Sequence, residues 1–285
     1  MGTVDTVLSK CNICGIASDE VKFAKELLSG KGAATKTDKE SFICEGRWAA
    51  DKLIDNKIHV THFFIRTDAL QSGKLSSAEL ESVSKLTEYA DNSYGISDKA
   101  CKKISDRDGA DFCFIIARRK VYTLKDMPLK DNMLIMILDG QEQPGNIGAI
   151  LRSLDCAGGS GAIVVNRRVK LSNSRLVRSA LGASFTMPVV DADMYETGRW
   201  LTENNFKAVL TDLTATQAYC DVDYSGRVAV VAGNEHTGIS PYWRTLPVAV
   251  PVIIPMLGSC ESLNVGFAST LVAYEAGLKM HGIKK

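Results

Sequence analysis

The stretch Met-Leu-Ile-Met-Ile-Leu-Asp-Gly, residues 133–140, decides the fold. It is a continuous apolar run that ends in Asp139-Gly140. Similar apolar runs recur along the second half of the chain, at residues 162–165, 187–190, 208–210, 228–232 and 248–254. Stretches with helical spacing lie between or after them, at residues 148–157, 174–181, 194–204 and 263–280. Continuous apolar strands that alternate with helices predict a parallel sheet covered by helices on both faces.

The first half of the chain predicts a smaller α/β domain. Its apolar and β-branched runs lie at residues 42–45, 60–65 and 111–117, and its helical spacing at 47–56 and 77–89. Residues 118–133 are charged, contain Pro128 and lack periodicity, which is typical of a linker. We therefore expect an N-terminal domain with its linker over residues 1–125 and a C-terminal domain over residues 126–285.

Composition excludes several classes of protein. The 285 residues include 45% hydrophobic and 24% charged residues, which excludes a disordered chain. The formal net charge of +1 excludes a generally basic nucleic-acid coat protein but leaves room for a local basic patch. No apolar run approaches the roughly 18 residues that a membrane span needs. We expect a soluble cytoplasmic protein with free thiols, no membrane partner and no metal site.

Several short motifs are better explained by ordinary local structure than by a functional site. Cys11 and Cys14 form a lone C-x-x-C without a second pair, so incidental spacing is favoured over a metal or redox site. The glycines of residues 158–161 precede a predicted strand and follow a predicted helix, the reverse of the context that a dinucleotide-binding loop needs, so we expect a helix C-cap. The Walker phosphate loop and the G-x-S-x-G elbow are both missing from the sequence.

Three loops at the predicted carboxyl ends of strands carry the chemistry, because ligands of open α/β sheets bind there. In the first loop, Asn146 lies near a predicted helix start and Arg152 about 1.7 turns further on. Taken alone, these two residues fit a helix cap and a solvated charge at least as well as a ligand site.

In the second loop, Glu235 is a carboxylate between Gly233 and Gly238, which allow tight turns and close backbone approach. In the third loop, Ser262 and Asn264 precede the last helix. They are either caps or short polar groups that face a substrate.

Together the three loops resemble a known family. Asn146-Ile-Gly-Ala-Ile-Leu-Arg152, Gly233-Asn-Glu-His-Thr-Gly238 and Ile254-Pro-Met with Glu261-Ser-Leu-Asn-Val265 resemble, in order and spacing, the three motifs of the SpoU/TrmH branch of the SPOUT RNA methyltransferases. Residues 133–280 are similar to that catalytic domain. Residues 40–117 are similar to the family's N-terminal substrate-binding domain, which resembles small kink-turn-binding ribosomal proteins. The segment Gly145-Asn-Ile-Gly-Ala-Ile150 and the chain length look most similar to those of the thiostrepton/nosiheptide-resistance type.

The resemblance implies a C-terminal trefoil knot, a homodimer with its active site near the dimer interface, and S-adenosylmethionine bound in a bent form by the knot loops. It implies methylation of a ribose 2′-hydroxyl in RNA. Large-subunit rRNA is the favoured substrate, with resistance to a ribosome-targeting antibiotic as one implied role. Transfer RNA is the alternative substrate, and a non-catalytic RNA-binding protein of the same fold is the alternative function.

The resemblance also assigns roles to residues. It implies catalytic-site positions at Asn146, Arg152, Glu235, Ser262 and Asn264. It implies cofactor contacts in the second and third motifs, at Gly233, Asn234, Gly238, Ile254, Met256 and Leu263. We add Thr211 and Leu213 to the cofactor site because they follow a predicted strand. The sequence departs from the family pattern at Gly266, where many relatives carry a small polar residue, and at His236-Thr237.

The chemistry of methyl transfer suits these residue types. The leaving group is a neutral thioether, so the difficult step is to position a weakly acidic ribose hydroxyl and stabilise the charge that develops on it. A guanidinium has a pKa above about 12, so Arg152 is a better stabiliser of an alkoxide or phosphate than a base. Of the motif residues, Glu235 is the carboxylate best suited to a role in proton transfer.

A local basic cluster completes the prediction. Within twelve residues that contain no acid lie Arg167, Arg168, Lys170, Arg175 and Arg178. They form either a solvated face or a patch that binds the RNA backbone, and the basic residues 118–120 would extend it. The turn Glu45-Gly46-Arg47 is either a simple turn after a strand or an RNA-facing loop.

Overall fold

The computed structural model describes residues 3–32, 38–105 and 111–283. It divides into two compact units, each with its own sheet. The first unit comprises residues 1–120 with 171–178, and the second comprises residues 121–170 with 179–285. Leu124 and Met127 lie in the segment predicted to be a linker, and both are buried in the core of the second unit.

The first unit contains a mixed five-stranded sheet in the order β1-β4-β3-β5-β2, in which β5 runs antiparallel to β2 and β3. Its strands are β1 (Asn12–Cys14), β2 (Ser41–Glu45), β3 (His59–Arg66), β4 (Asn92–Ile96) and β5 (Cys113–Arg118). Its helices are α1 (Thr3–Lys10), α2 (Asp19–Ser29), α3 (Ala50–Asp55), α4 (Thr67–Gln71), α5 (Ser77–Tyr89) and α6 (Asp98–Ile104). Phe63, Phe64 and Phe114 are fully buried in the core of this unit.

The second unit contains a six-stranded sheet in the order β11-β9-β10-β6-β7-β8, in which every pair is parallel. Its strands are β6 (Met133–Asp139), β7 (Gly161–Val165), β8 (Val189–Asp191), β9 (Phe206–Thr211), β10 (Arg227–Ala232) and β11 (Ala249–Val252). The helices of this half of the chain are α7 (Pro144–Cys156), α8 (Ser174–Ala180), α9 (Ala183–Thr186), α10 (Met194–Glu203) and α11 (Val265–Met280). The predicted parallel sheet is confirmed.

The central strand β6 is buried on both faces. Ile135 and Ile137 belong to a core cluster with Leu201 of α10 and with Trp243. The alternate side chains of the strand point to the opposite face, where α7 and α11 pack against β6. Because both faces are covered, the strand needs apolar residues at every position, which is the pattern that the sequence shows.

Three predicted boundaries are wrong by two to four residues. Helix α7 begins at Pro144 rather than at residue 148, since proline is well suited to the first turn of a helix. Asn146 therefore lies inside that first turn and is not the cap. Strand β11 ends at Val252 rather than at residue 254, and α11 begins at Val265 rather than at residue 263, with Asn264 as its N-cap.

Two minor sequence features have simple structural explanations. Gly158 adopts a left-handed conformation, φ 79°, directly after the C-cap of α7, as expected for a helix C-cap glycine. Cys11 and Cys14 are free thiols, and burial raises the pKa of both. Among the residues that the structure describes, none of the helices has the length and apolar character of a membrane span.

Candidate active site

Two of the three motif loops line one cavity in the second unit, and the first motif contacts it through Asn146. The cavity has a volume of about 480 Å³ and lies at the carboxyl ends of β9, β10 and β11, beside the start of α11. Such a volume falls within the range of ordinary small-molecule sites. Its lining includes every residue predicted to contact the cofactor: Thr211, Leu213, Gly233, Asn234, Gly238, Ile254, Met256 and Leu263.

Close packing of the backbone leaves room only for a glycine at position 233. A Cβ atom at this position would lie far inside van der Waals distance of the backbone of Gly238 and Ile239. The two ends of the turn pair through backbone hydrogen bonds of 2.9 and 3.0 Å between Asn234 and Gly238. The side chain of Gln141, which follows β6, donates a hydrogen bond to the Gly233 carbonyl. The wall of the cavity is therefore formed by backbone that a side chain would displace.

A chain of polar side chains joins all three motifs. The Asn146 amide donates a 2.9 Å hydrogen bond to one oxygen of Glu235, and the Asn264 amide lies 3.5 Å from the Asn146 oxygen. The backbone N–H of Glu142 lies 3.4 Å from the second oxygen of Glu235. Glu235, Asn264 and Ser262 line the cavity. Three of the five residues predicted to be catalytic thus line the cavity. Asn146 does not line it but donates a hydrogen bond to one of the three, Glu235.

Helix packing sets the position of Asn146 relative to Asn264. A Cβ atom at Gly277 would collide with the Ala157 carbonyl, so α7 and α11 approach as closely as a glycine allows. The Thr270 hydroxyl contacts the Ser153 hydroxyl at 2.8 Å between the same helices. At the N-terminus of α11, the Asn264 side-chain oxygen accepts a hydrogen bond from the Gly266 N–H at 2.9 Å. Asn264 is therefore both the helix cap and a cavity residue, so the cap interpretation is confirmed and the role toward a substrate stays a prediction.

Arg152, the remaining predicted catalytic residue, is not brought to the cavity of its own chain. It is exposed on α7, and it does not belong to the cavity lining. Its separation of six residues from Asn146 places it on a different side of the helix.

Asp212 lines the cavity between Thr211 and Leu213, yet it was not among the predicted site residues. One carboxylate oxygen accepts hydrogen bonds from the Thr214 N–H and hydroxyl, at 3.0 and 2.8 Å, and the other accepts from Nε of Arg244 at 2.7 Å. The bond from Arg244 is the main cause that lowers the pKa of Asp212 to about 2. A charged residue directly after an apolar strand was the available signal.

The predicted RNA-binding residues differ in their surroundings. Nε of Arg167 lies 2.6 Å from Asp191, and Arg178 forms an ion pair with Glu45, whose side chain is 7% exposed. Arg168 and Arg175 are exposed, and neither forms an ion pair within the described ranges. Two of the predicted charges are therefore already balanced by carboxylates. Lys170 is exposed as well.

Comparisons with known proteins identify the family of the chain. The model of the SpoU rRNA Methylase family matches residues 133–274. The chain is 36% identical over 177 residues to the 23S rRNA (guanosine-2′-O-)-methyltransferase RlmB of Salmonella typhi, covering 59% of this chain and 72% of that protein. The chain belongs to the SpoU rRNA methylase family. The family expected from the three motifs is thereby confirmed.

Other members extend the comparison. The 23S rRNA (uridine(2479)-2′-O)-methyltransferase of Streptomyces viridochromogenes is 35% identical over 54% of this chain, and the chain spans 55% of the length of that enzyme. The crystal structure of an RNA 2′-O ribose methyltransferase is 28% identical, with a TM-score of 0.77 over 94% of this chain and 98% of that one. An rRNA methyltransferase from Sinorhizobium meliloti shares the fold at a TM-score of 0.80 and 22% identity, over 94% of this chain and 97% of that one.

Proposed function

We propose that this member of the SpoU family transfers a methyl group from S-adenosylmethionine to a ribose 2′-hydroxyl of large-subunit rRNA. The observation that carries the proposal is the hydrogen bond from Asn146 to Glu235, which lines the cavity together with Asn264. The trefoil knot that the resemblance implies stays a prediction. A ribosomal RNA substrate would place the enzyme in the cytoplasm.

The cavity fits the proposed donor. Leu213, Ile254 and Leu263 supply apolar walls, while the turn at Gly233 supplies backbone that approaches closely. S-adenosylmethionine, when bound, supplies an electrophilic methyl group on a sulfonium. A site with apolar walls and few polar groups binds such a ligand and excludes water from it.

The polar residues at the cavity act on the nucleophile. Asn146 fixes one oxygen of Glu235, so the other oxygen is held in a defined direction to accept a hydrogen bond from a ribose hydroxyl. Ser262 and Asn264 add short polar groups at the same opening. The hydroxyl proton leaves along that hydrogen bond to Glu235 and passes from there to water, and a guanidinium stabilises the oxygen as its negative charge develops.

We propose that this guanidinium is Arg152 of a second copy of the chain. Arg152 is exposed on α7 and lies outside the cavity of its own chain. On the neighbouring helix α11, an apolar stripe is left open to solvent at Phe267, Leu271 and Tyr274, which are 69%, 41% and 39% exposed. These positions share one helix face, and an apolar face of this kind is typical of a dimer interface.

Complementation tests the dimer. Arg152→Ala and Glu235→Gln should each be inactive alone. After co-refolding in equal amounts, about half of the dimers are mixed and one of their two sites is intact, so about a quarter of wild-type activity should return. If the mixture stays inactive, Arg152 does not act across subunits. Arg152→Lys, which keeps the charge but not the planar fork, should retain only part of the activity of the wild type.

Transfer of a tritiated methyl group to RNA tests the function itself. The purified protein is incubated with labelled S-adenosylmethionine and either protein-free large-subunit rRNA or tRNA, and the protected ribose is mapped by its resistance to alkali. Label in the rRNA supports the proposal. Label in tRNA alone would show that the substrate is tRNA rather than rRNA. If neither RNA is labelled and calorimetry detects no donor binding, the result favours the alternative of a non-catalytic RNA-binding protein.

A further inference from the structure

The short 3-10 helix Pro241–Thr245 follows β10 and contacts the ends of the two strands that flank β10. Strand β10 lies between β9 and β6 in the sheet. From the 3-10 helix, the Trp243 indole N–H donates a 2.9 Å hydrogen bond to Asp139 at the end of β6. The next residue, Arg244, donates from Nε to Asp212 after β9 at 2.7 Å. Adjacent residues of one helix thus hold the carboxyl ends of both neighbouring strands.

We propose that Asp212 and Arg244 are positioning residues for the methyl donor, and that their ion pair sets the shape of the donor cavity. This role rests on the proposed function. Asp212 lines the cavity and its side chain is only 5% exposed, whereas Arg244 lies outside the lining and is 42% exposed. Arg244 therefore acts on the donor through Asp212.

The contacts of Asp212 explain how the pair acts. Its two oxygens receive three hydrogen bonds, so the carboxylate is fully held and has little capacity left for a ligand. Its backbone N–H donates to the Val252 carbonyl at 2.9 Å, which ties the start of the loop to β11. Leu213 and Thr214 follow directly, and Leu213, 61% exposed, forms part of the cavity wall. Loss of the pair would leave this wall free to move before the donor binds.

The test measures donor affinity by calorimetry in four variants. Asp212→Asn keeps the side-chain volume but removes the charge and replaces one oxygen by an NH2 group, so either Arg244 or Thr214 loses its acceptor. Arg244→Met keeps the length and removes the charge, Arg244→Lys keeps the charge, and the double variant Asp212→Asn/Arg244→Met completes a cycle. We expect each of the first two changes to raise the Kd for S-adenosylmethionine about tenfold, as for the loss of one charge-assisted hydrogen bond. The double variant should be no weaker than either single one, and Arg244→Lys should recover part of the loss.

A second ion pair on the same strand serves as control. Lys207 near the start of β9 lies 2.6 Å from Asp223, and neither residue lines the cavity. Lys207→Met and Asp223→Asn should leave the donor Kd within twofold of the wild type. The turnover rate at saturating donor and the KM for RNA should also change less than threefold in the Asp212 and Arg244 variants, which a general loss of folding would not allow.

Two results would overturn the assignment. One is a donor Kd that stays within twofold of the wild type in both Asp212→Asn and Arg244→Met. The other is a double variant whose loss equals the product of the single losses, since independent residues behave in that way. If the wild type itself binds no S-adenosylmethionine, the proposed function fails first and the positioning role falls with it.

Discussion

The side-chain amide of Asn146 donates a 2.9 Å hydrogen bond to Glu235, a residue 89 positions away in the chain. The first lies in the opening turn of α7, and the second lies in the turn after β10. These elements meet because β6, which precedes α7, pairs directly with β10. The contact therefore depends on strand order, and it places an oriented carboxylate beside the cavity.

Removal of the Asn146 amide should separate catalysis from donor binding. In Asn146→Ala the Glu235 carboxylate loses its orienting donor, so we expect the turnover rate to fall about 100-fold. The Kd for S-adenosylmethionine should change less than threefold, because Asn146 is not part of the cavity lining. Single-turnover methyl transfer and calorimetry measure the two quantities. Gln143→Ala is the control, since Gln143 is the exposed N-cap of the same helix and makes no side-chain cap bond. Equal losses in both variants would contradict this role.

Gly233→Ala should abolish donor binding. The added methyl group meets the backbone of Gly238 and Ile239, so the turn must open, at a cost of about 1–3 kcal/mol in stability. Calorimetry and thermal melting report the two effects. Gly145→Ala offers a matched comparison, because the nearest atom to its added Cβ is 4.0 Å away, and alanine is the better helix former. A Gly233→Ala protein that binds the donor normally would show that the backbone turn is not part of the site.

Asp212 should make stability depend on pH in a narrow acid range. Its pKa is lowered to about 2 in the folded protein from 3.8, chiefly by the hydrogen bond from Arg244. The unfolded chain therefore binds more protons between these values, so the contribution is complete above pH 4 and is lost as the pH falls through 2. A shift of this size corresponds to about 2 kcal/mol.

Urea unfolding of the wild type and Asp212→Asn at pH 5 and at pH 2.5 measures this contribution. The difference in stability between the two proteins should be larger at pH 5. Other carboxylates are common to both proteins, so their titration cancels in the comparison. The same difference at both pH values would mean that the ion pair contributes nothing through ionisation.

Two arginines of α8 should behave differently when replaced. Arg178→Ala leaves the nearly buried carboxylate of Glu45 without its guanidinium, so we expect a loss of about 2 kcal/mol in stability, visible as a lower melting temperature. Arg175→Ala removes an exposed charge and should leave the melting temperature unchanged.

For RNA binding we expect the opposite order of effects, in which the loss of Arg175 matters more than the loss of Arg178. If Arg175 contacts a phosphate, its loss should reduce the slope of log K against log salt by about 0.7–0.9. Filter binding at several salt concentrations measures the slope. An unchanged slope in Arg175→Ala and in Arg168→Ala would exclude both residues from the RNA interface. It would favour the interpretation of the basic cluster as a solvated surface.

The sequence by itself determined the parallel-sheet architecture of the second unit and predicted many of the residues that line its cavity. Runs such as residues 133–138 predict strands buried on both faces, because a parallel strand between helices needs apolar residues at every position. Most residues of the turn 233–238, and Ile254, Met256 and residues 262–264 of the third motif, line one cavity. In the first unit, by contrast, β1 and β4 are short and carry polar residues, so no periodicity indicates them.

Only the tertiary structure decided which distant side chains meet. The pairing of Arg178 with Glu45 and of Arg244 with Asp212, and the exposed position of Arg152 outside the cavity, have no local signal in the sequence. The physical reason is that periodicity reports how each segment is buried by its immediate surroundings. Ion pairs and hydrogen bonds between segments depend instead on strand order and on helix contacts as close as that of Gly277 with Ala157, which arise only when the whole chain is folded.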